Sequence, residues 1–190
     1  MITHLRSALG MLLLLTVVTG LAYPLLVTGL AQLFFPFQAN GSIILLEGTS
    51  VGSGLIGQAV DDPALFWGRL SATTPVPYNG KASGGSNLGQ ANPALRQAVE
   101  ERLAALLAAD PDNRMPVPVD LVTASASGLD PHISVAAARW QAGRVSRARN
   151  LPSEQVLALI DRRTEGRTLG ILGEPRVNVL RLNLALNEVH

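Results

Sequence analysis

A long apolar stretch opens the chain. Residues 7–46 contain no charged side chain, and Ala8 to Phe35 is a run of 28 residues dominated by Leu, Val, Ala, Gly and Thr. At about 1.5 Å per residue, a helix of this length reaches about 42 Å, more than the ~30 Å hydrocarbon core of a bilayer. The pattern therefore predicts one membrane-spanning helix.

Within this helix, small or backbone-altering residues recur every four positions and so fall on one face. They are Thr16, Gly20, Pro24 and Thr28. Helices associate in lipid through close packing, which small residues permit, so we expect this face to contact other membrane helices. Because it has no N–H to donate, Pro24 is expected to bend the helix.

Apolar residues at helical spacing predict three helices after the anchor. Asn92 is a good cap for the first, which is expected to end before Pro111. Ser134 is expected to cap a second helix that runs to about Arg149, and a third is predicted from Pro152 to near Gly166. Off the apolar face of the second helix, and expected to be solvated, are Arg139, Arg144, Arg147 and Arg149.

Short apolar runs between turn residues predict strands. They are residues 42–46, 52–58, 117–123 and 177–179. Leucines at alternate positions from 180 to 186 follow the last run in the opposite phase, which predicts a bulge or a change of element there. Strands at both ends with helices between them predict an α+β fold, with a single N-terminal transmembrane helix followed by one compact mixed α+β extracytoplasmic domain.

A polar, glycine-rich segment from Phe66 to Asn92 shows little periodicity. A loop of this length inside a compact domain is uncommon and is usually functional or disordered. Its aromatic residues argue against disorder, so we expect a functional surface.

Charged residues flanking the apolar run indicate its orientation. Arg6 precedes the run, whereas the first charges after it are Glu47, Asp61 and Asp62. The positive-inside rule then places the amino terminus in the cytoplasm, with residues 1–37 forming the cytoplasmic tip and anchor and residues 38–190 an extracytoplasmic (periplasmic) domain of a single-pass membrane protein. The alternative is a cleaved signal peptide, but the apolar run is longer than such peptides have.

Composition and motifs give little support for catalysis. The net charge of +1 argues against a nucleic-acid partner, and the absence of cysteine excludes a thiol nucleophile. A hydrolase reading of Ser125, Ser127, Asp130 and His132 lacks the Gly-x-Ser-x-Gly elbow. No phosphate-binding Walker motif and no metal-ligand spacing is present. The residues therefore predict a non-catalytic accessory subunit.

Several strings in this chain resemble one family. They are YPLL at 23–26, FPFQANGS at 35–42, GSGLIGQ at 52–58, ASGGSNL at 82–88 and DLVTASASGLD at 120–130. These are similar to the C subunit of the bacterial Kdp system, a high-affinity potassium-transporting P-type ATPase. One departure is Leu70, where the family usually has proline.

The resemblance implies a multi-subunit pump that handles ATP and potassium. Its partners would be a channel-like potassium-binding subunit and a P-type ATP-hydrolysing subunit, together with membrane lipid. In the family this subunit is a stabilising "catalytic chaperone" that raises the ATP affinity of the hydrolysing subunit, and a glutamine matching Gln141 is linked to the nucleotide. ATP is cytoplasmic, whereas the charge pattern places Gln141 outside, so we expect a packing or interface role for it.

We expect the polar segment from Phe66 to Asn92 and the serine-rich turn at residues 124–130 to dock beside the potassium entrance of the channel-like subunit. The alternative class is a stand-alone membrane-anchored periplasmic hydrolase or solute-binding module. The candidate docking residues are Phe66, Arg69, Tyr78, Asn79, Ser83, Gly84, Gly85, Ser86, Asn87, Ser125, Ser127 and Asp130.

Overall fold

The N-terminal helix dominates the first of two compact units. A computed structural model describes residues 2–189, and the chain divides between Val51 and Gly52. Three helical pieces follow without a break: α1 (Ile2–Val17), a π-helical turn (Val18–Ala22) and α2 (Tyr23–Phe34). Within the 32 residues Thr3–Phe34, the most apolar 18-residue window has a mean hydropathy of 2.1, and none of that window is buried. Length and composition therefore suit a membrane span, as predicted.

The π-helical turn lies just before Pro24, where a bend was expected. The N–H of Tyr23 donates to the carbonyl oxygen of Val18, five residues back. In an ideal α-helix, residues four apart drift by about 40° around the axis at each step. A π-helical turn contains more residues than an α-helical turn, so each residue rotates less about the axis and part of that drift is offset. The π turn thus helps to keep the four small-face residues, from Thr16 to Thr28, in line.

A short helix and a hairpin follow the long helix. Helix α3 (Pro36–Ala39) is succeeded by β1 (Ile43–Leu46) and β2 (Thr49–Ser53), which pair with each other. The strand predicted at 42–46 is thus confirmed, whereas the one predicted at 52–58 ends at Ser53. Turn and irregular backbone replace it because Gly54 and Gly57 interrupt the apolar run.

The second unit, which we call the C-terminal unit, combines helices with a small antiparallel sheet. Its sheet has the order β3-β5-β4, and Ile133 of β3 lies opposite Val177 of β5. Together with the first unit this is the mixed α and β architecture predicted. The elements, in chain order, are α4 (Pro93–Ala109), α5 (Val119–Val122), β3 (His132–Ser134), α6 (Val135–Arg149), α7 (Ser153–Arg163), β4 (Thr164–Glu165), β5 (Arg176–Asn178) and α8 (Val179–Leu186).

Helix α6 lies at the centre of the core. It packs against α7, and Ala138, Ala142 and Val145 on its apolar face are buried as predicted. The core is completed from the other elements chiefly by Phe66, Leu106, Leu121, Ile133, Val156, Ile160, Val177, Leu182 and Leu186. Since most of these residues lie at predicted helical or strand positions, hydrophobic periodicity accounts for this layer.

Polar side chains start three of these helices. The side chain of Asn92 accepts from the N–H of Ala94, and that of Ser134 accepts from Ala137, which confirms both predicted caps. Asn178 does the same for Arg181 at the start of α8. The predicted change of element after the last strand is therefore a helix, and it begins at Val179, one residue inside the predicted strand.

The strand predicted at 117–123 is wrong. The structure has a single helical turn there, α5, with Pro118 immediately before it. Pro118 holds a backbone angle compatible with the start of a helix and cannot donate to a sheet. Asp120 fixes the turn, because its carboxylate accepts from both the backbone N–H and the hydroxyl of Ser134.

Candidate functional site

The segment between β2 and α4 has almost no regular structure, yet it is held in place along its length. Its only bridge to another part of the described chain pairs Leu70 with Ala124. Its other partners include side chains on α4, α6 and α8, and both backbone and side-chain groups of the serine-rich turn before β3. Such side-chain partners satisfy backbone groups that no sheet or helix satisfies.

Two buried side-chain amides, those of Asn183 and Gln141, bind successive residues of this segment, and we call the pair the amide clamp. Asn183 accepts from the N–H of Phe66 at 2.8 Å and donates to its carbonyl oxygen at 3.0 Å. In the same way, Gln141 accepts from the N–H of Trp67 at 2.8 Å and donates to its carbonyl oxygen at 3.1 Å. Each carboxamide therefore replaces the neighbouring strand that Phe66 or Trp67 would have in a sheet.

Arginines of α6 bind the residues just before this amide clamp. Arg144 donates to the carbonyl oxygens of Pro63 and Leu65 and to the amide oxygen of Gln141, while Arg149 donates to Ala64. Burial lowers the pKa of Arg144 to about 10, so its guanidinium stays charged at neutral pH.

The expectation of a solvated arginine face on this helix is therefore wrong for Arg144, which is buried, and for Arg149, which is half-buried. The carbonyl groups of the irregular segment need donors, and these side chains supply them. Arg147 is exposed but pairs with the buried carboxylate of Asp110, whereas Arg139 forms an exposed ion pair with Asp161, as a solvated face would.

Two guanidinium groups lie over the ring of Trp67. Arg144 is 4.7 Å from the ring centroid and Arg102 of α4 is 5.1 Å from it. Arg102 also donates to the carbonyl oxygens of Gly68 and Leu121, and burial lowers its pKa. This stack joins α4 and α6 through the irregular segment.

Beyond the clamp, Arg69 and Tyr78 tie the segment to the serine-rich turn. Arg69 forms an ion pair with Asp130 at 3.3 Å and donates to Ala124. The hydroxyl of Tyr78 donates to the carbonyl oxygen of Arg69, and burial raises the pKa of Tyr78. Ser71 accepts from the N–H of Tyr78 and donates to the carbonyl oxygen of Gly128.

The serine-rich turn, residues 124–130, is a structural element. The hydroxyls of Ser125 and Ser127 are 3.1 Å apart, and they accept from the N–H groups of Gly128 and Leu129 respectively. His132 contacts Asp130 at 3.2 Å, and no hydrogen bond links it to either serine among the residues described. The geometry thus contains no serine–histidine couple of the kind that a hydrolase needs.

Acid is expected to destabilise this part of the molecule through Asp130. Burial raises the pKa of Asp130, but hydrogen bonds and charge from His132, with the charge of Arg69, outweigh it and hold the pKa below its ordinary 3.8. A lowered carboxyl pKa gives stability that is present above the unfolded value and is lost as the pH falls through the folded one.

Asp130→Asn should therefore cost about 1 kcal/mol at pH 7, and less as the pH drops below 4. Urea unfolding of both proteins between pH 7 and pH 3 measures this difference. An offset that stays constant over the range would contradict the linkage.

The structure divides the predicted docking residues into an exposed, a half-buried and a buried set. Ser83, Ser86, Asn87 and Ser127 are exposed. Gly84, Gly85, Asn79, Tyr78, Arg69 and Asp130 are half-buried. Phe66 and Ser125 are buried, so their side chains are not on the surface. The surface that remains, which we call the polar rim, consists of residues 83–87 with Ser127.

A shallow depression beside the polar rim has a volume of about 400 Å³. Its lining includes Arg69, Ser125, Ser127 and Asp130, which offer a guanidinium, two hydroxyls and a carboxylate. In the described part of the chain, no three His, Cys, Asp or Glu side chains are placed to hold a metal ion. The other half of the lining residues are apolar, namely Leu55, Ala126, Leu129 and Pro131. This mixed surface suits binding more than bond cleavage.

Sequence reasoning missed several residues that build this site. Asn183 and Arg102 bind the irregular segment, and Ser71 and Thr73 organise its second half. Only Asn183 left a signal, because it interrupts a run of leucines in α8. A polar residue at a buried helix position commonly has a hydrogen-bonding partner.

Comparison with known proteins identifies the family. Residues 5–188 match the family described as "KdpC: K+-transporting ATPase, c chain". The chain belongs to this family. It is 62% identical over 187 residues to the potassium-transporting ATPase KdpC subunit of Sorangium cellulosum, covering 98% of both chains. It is 64% identical over 183 residues to the protein of that name from Polaromonas naphthalenivorans, covering 96% of this chain and 93% of the relative. The predicted resemblance is thus confirmed.

Proposed function

We propose that this chain is a non-catalytic accessory subunit of an ATP-driven potassium-transporting complex in a bacterial inner membrane. The match to the family over residues 5–188 carries the proposal, since the relatives are named as subunits of a potassium-transporting ATPase. Its role is to stabilise and assemble the channel-like potassium-binding subunit and the ATP-hydrolysing subunit. The test has two parts. Both subunits should copurify with the tagged chain, and fewer complexes of those two subunits should be recovered from cells that lack the chain.

The proposed topology places the amino terminus in the cytoplasm and the C-terminal unit outside. The charge pattern around the candidate span supports it. Because the chain has no cysteine, a single introduced cysteine is a unique label. Ser86→Cys, at an exposed position, should react with a membrane-impermeant maleimide in intact cells. Labelling that requires permeabilised cells would reverse the orientation.

The proposed docking surface is the polar rim, set beside the potassium entrance of the channel-like subunit. Its support is that exposed hydroxyl and amide groups are mounted on a segment that the amide clamp and the arginines hold in place. We also propose that any rise in ATP affinity of the hydrolysing subunit acts through assembly. Gln141 is buried, and both of its amide atoms already bind protein groups.

The small face of the anchor is proposed to pack on membrane helices of the partner subunits. Replacing both Gly20 and Thr28 with leucine should reduce the copurified subunits by about ten-fold, because the larger side chains prevent close approach. Gly29→Leu, on another face with open space around it, is the matched control and should have little effect. Equal recovery from the double variant and the control would refute this interface.

The sequence alone also left open a stand-alone hydrolase or solute-binding module. Expression of the chain without its partners separates the two. An accessory subunit should be inert alone, whereas an enzyme or binding module should act on its own.

A further inference from the structure

Three exposed aliphatic side chains, including the two most exposed among the described residues of the C-terminal unit, lie together at one hairpin tip between β4 and β5. Leu169 is 85% exposed, Ile171 74% and Leu172 57%. We call residues 169–172 the apolar tip. Soluble surfaces seldom group large apolar side chains in this way unless another surface covers them.

The apolar tip is an ordered turn. Thr168 and Leu172 exchange two backbone hydrogen bonds of 2.9 Å, and the N–H of Gly170 donates to the carbonyl oxygen of Arg167. Just outside, Arg167 makes two bonds to the carboxylate of Glu174, at 2.7 and 2.8 Å. A rigid display lowers the entropy that is lost when side chains bind a partner.

The backbone at the tip is also unusual. Leu169 has a φ of +55°, in the left-handed region that bulky residues seldom adopt. This conformation costs about 1 kcal/mol and is found where a turn serves a function. Here it accompanies the most exposed leucine of the unit.

The charges around the apolar tip favour a protein pocket over lipid. Segments that bind a membrane surface combine apolar residues with unpaired basic ones and with Trp or Tyr. Residues 166–175 contain no aromatic residue, and the charges of Arg167 and Glu174 cancel in their ion pair. Anionic headgroups therefore find no net positive charge there.

The size of the apolar tip argues against pairing with a second copy. Three side chains expose a few hundred Å² at most, whereas a stable dimer buries about 1,200 Å² or more. A small convex group fits a pocket on a partner that is held mainly through other contacts. Relying on the accessory-subunit role proposed above, we propose that the apolar tip inserts into an apolar pocket on another subunit of the transport complex.

Photo-cross-linking in the assembled complex tests this proposal. A photoreactive amino acid at Ile171 should form an adduct with a transport subunit, identified by mass spectrometry, whereas one at Val119, which is also 70% exposed, should not. In parallel, Leu169→Ser with Ile171→Ser should lower the recovery of partner subunits at least about ten-fold. Its unfolding midpoint should stay at the wild-type value, because both side chains are exposed.

Three results would overturn the tip contact while leaving the accessory role intact. They are adducts only with lipid, adducts only with a second copy, or no adduct, in each case with wild-type recovery of partner subunits. Equal adducts from Ile171 and Val119 would also overturn it. Failure of the unmodified chain to copurify with any transport subunit would instead refute the accessory role itself.

Discussion

Replacing Gln141 with alanine is expected to lower the free energy of unfolding of the C-terminal unit by about 4 kcal/mol. The change leaves the N–H and the carbonyl of Trp67 buried without partners, and each unsatisfied group costs about 1–3 kcal/mol. It also removes an acceptor from Arg144 and leaves a small cavity. Since domains are stable by about 5–15 kcal/mol, such a loss approaches unfolding.

Urea unfolding followed by tryptophan fluorescence measures this effect. Both tryptophans, Trp67 and Trp140, belong to the C-terminal unit, so the signal reports on that unit alone. Gln155→Ala, at an exposed position of α7, is the matched control and should change stability by less than about 0.5 kcal/mol.

The same variant separates a structural role of Gln141 from direct contact with nucleotide. A clamp residue should weaken folding and assembly together, and ATP affinity of the remaining complex should follow assembly. If Gln141→Ala kept its unfolding free energy and its partners but lost the effect on ATP affinity, a direct role would be indicated. That result would contradict the positioning role argued from the structure.

Local signals predicted α4 and α6 well, and α7 except for its end, which was expected near Gly166 and lies at Arg163. Asn92 and Ser134 are capping residues whose partners lie two or three positions away, so the sequence itself contains both halves of each interaction. The strand predicted at 117–123 was wrong for a different reason. Its β-branched residues suggested a strand, but Pro118 and the bonds between Asp120 and Ser134 favour a helical turn.

The irregular segment was predictable as a loop but not as a structure. Phe66 is bound by a residue 117 positions away, and Trp67 by one 74 positions away. Neither pairing follows a periodicity, because single side-chain amides supply the hydrogen bonds that a neighbouring strand would supply in a sheet. The resemblance to a known family, by contrast, rested on short strings that remain visible without any fold, and it predicted the family correctly.

The exposed and buried parts of the site depend on each other. Sequence reasoning treated residues 66–92 as one surface, whereas the structure buries Phe66 and Trp67 and exposes the side chains of Ser83, Ser86 and Asn87. The buried part positions the exposed part. A substitution at a buried glycine or a buried side-chain amide should therefore displace the polar rim. Backbone contacts at the serine-rich turn are where the two parts meet.

Gly128→Ala is expected to destabilise the C-terminal unit by about 3 kcal/mol. Gly128 has a φ of +68°, and an added Cβ would lie 2.5 Å from Cγ2 of Thr73 and 2.6 Å from the carbonyl oxygen of Gly84. The left-handed backbone costs about 1 kcal/mol for alanine, and overpacking adds about 1–3 kcal/mol. Gly166→Ala, with open space around its Cβ, is the matched control and should unfold near the wild-type midpoint.

A second substitution shows whether the clash is the cause. Thr73→Ser removes the methyl group that an alanine at 128 would strike but keeps the hydroxyl that donates to Val76. Gly128→Ala should therefore cost less in the Thr73→Ser background, by about 1 kcal/mol in a double-mutant cycle. Gly84 belongs to the polar rim, and its carbonyl oxygen is one of the atoms that the added Cβ would strike. Gly128→Ala should therefore displace the polar rim and reduce recovery of partner subunits. Unfolding of Gly128→Ala at the midpoint of Gly166→Ala would show that the turn does not need this close approach.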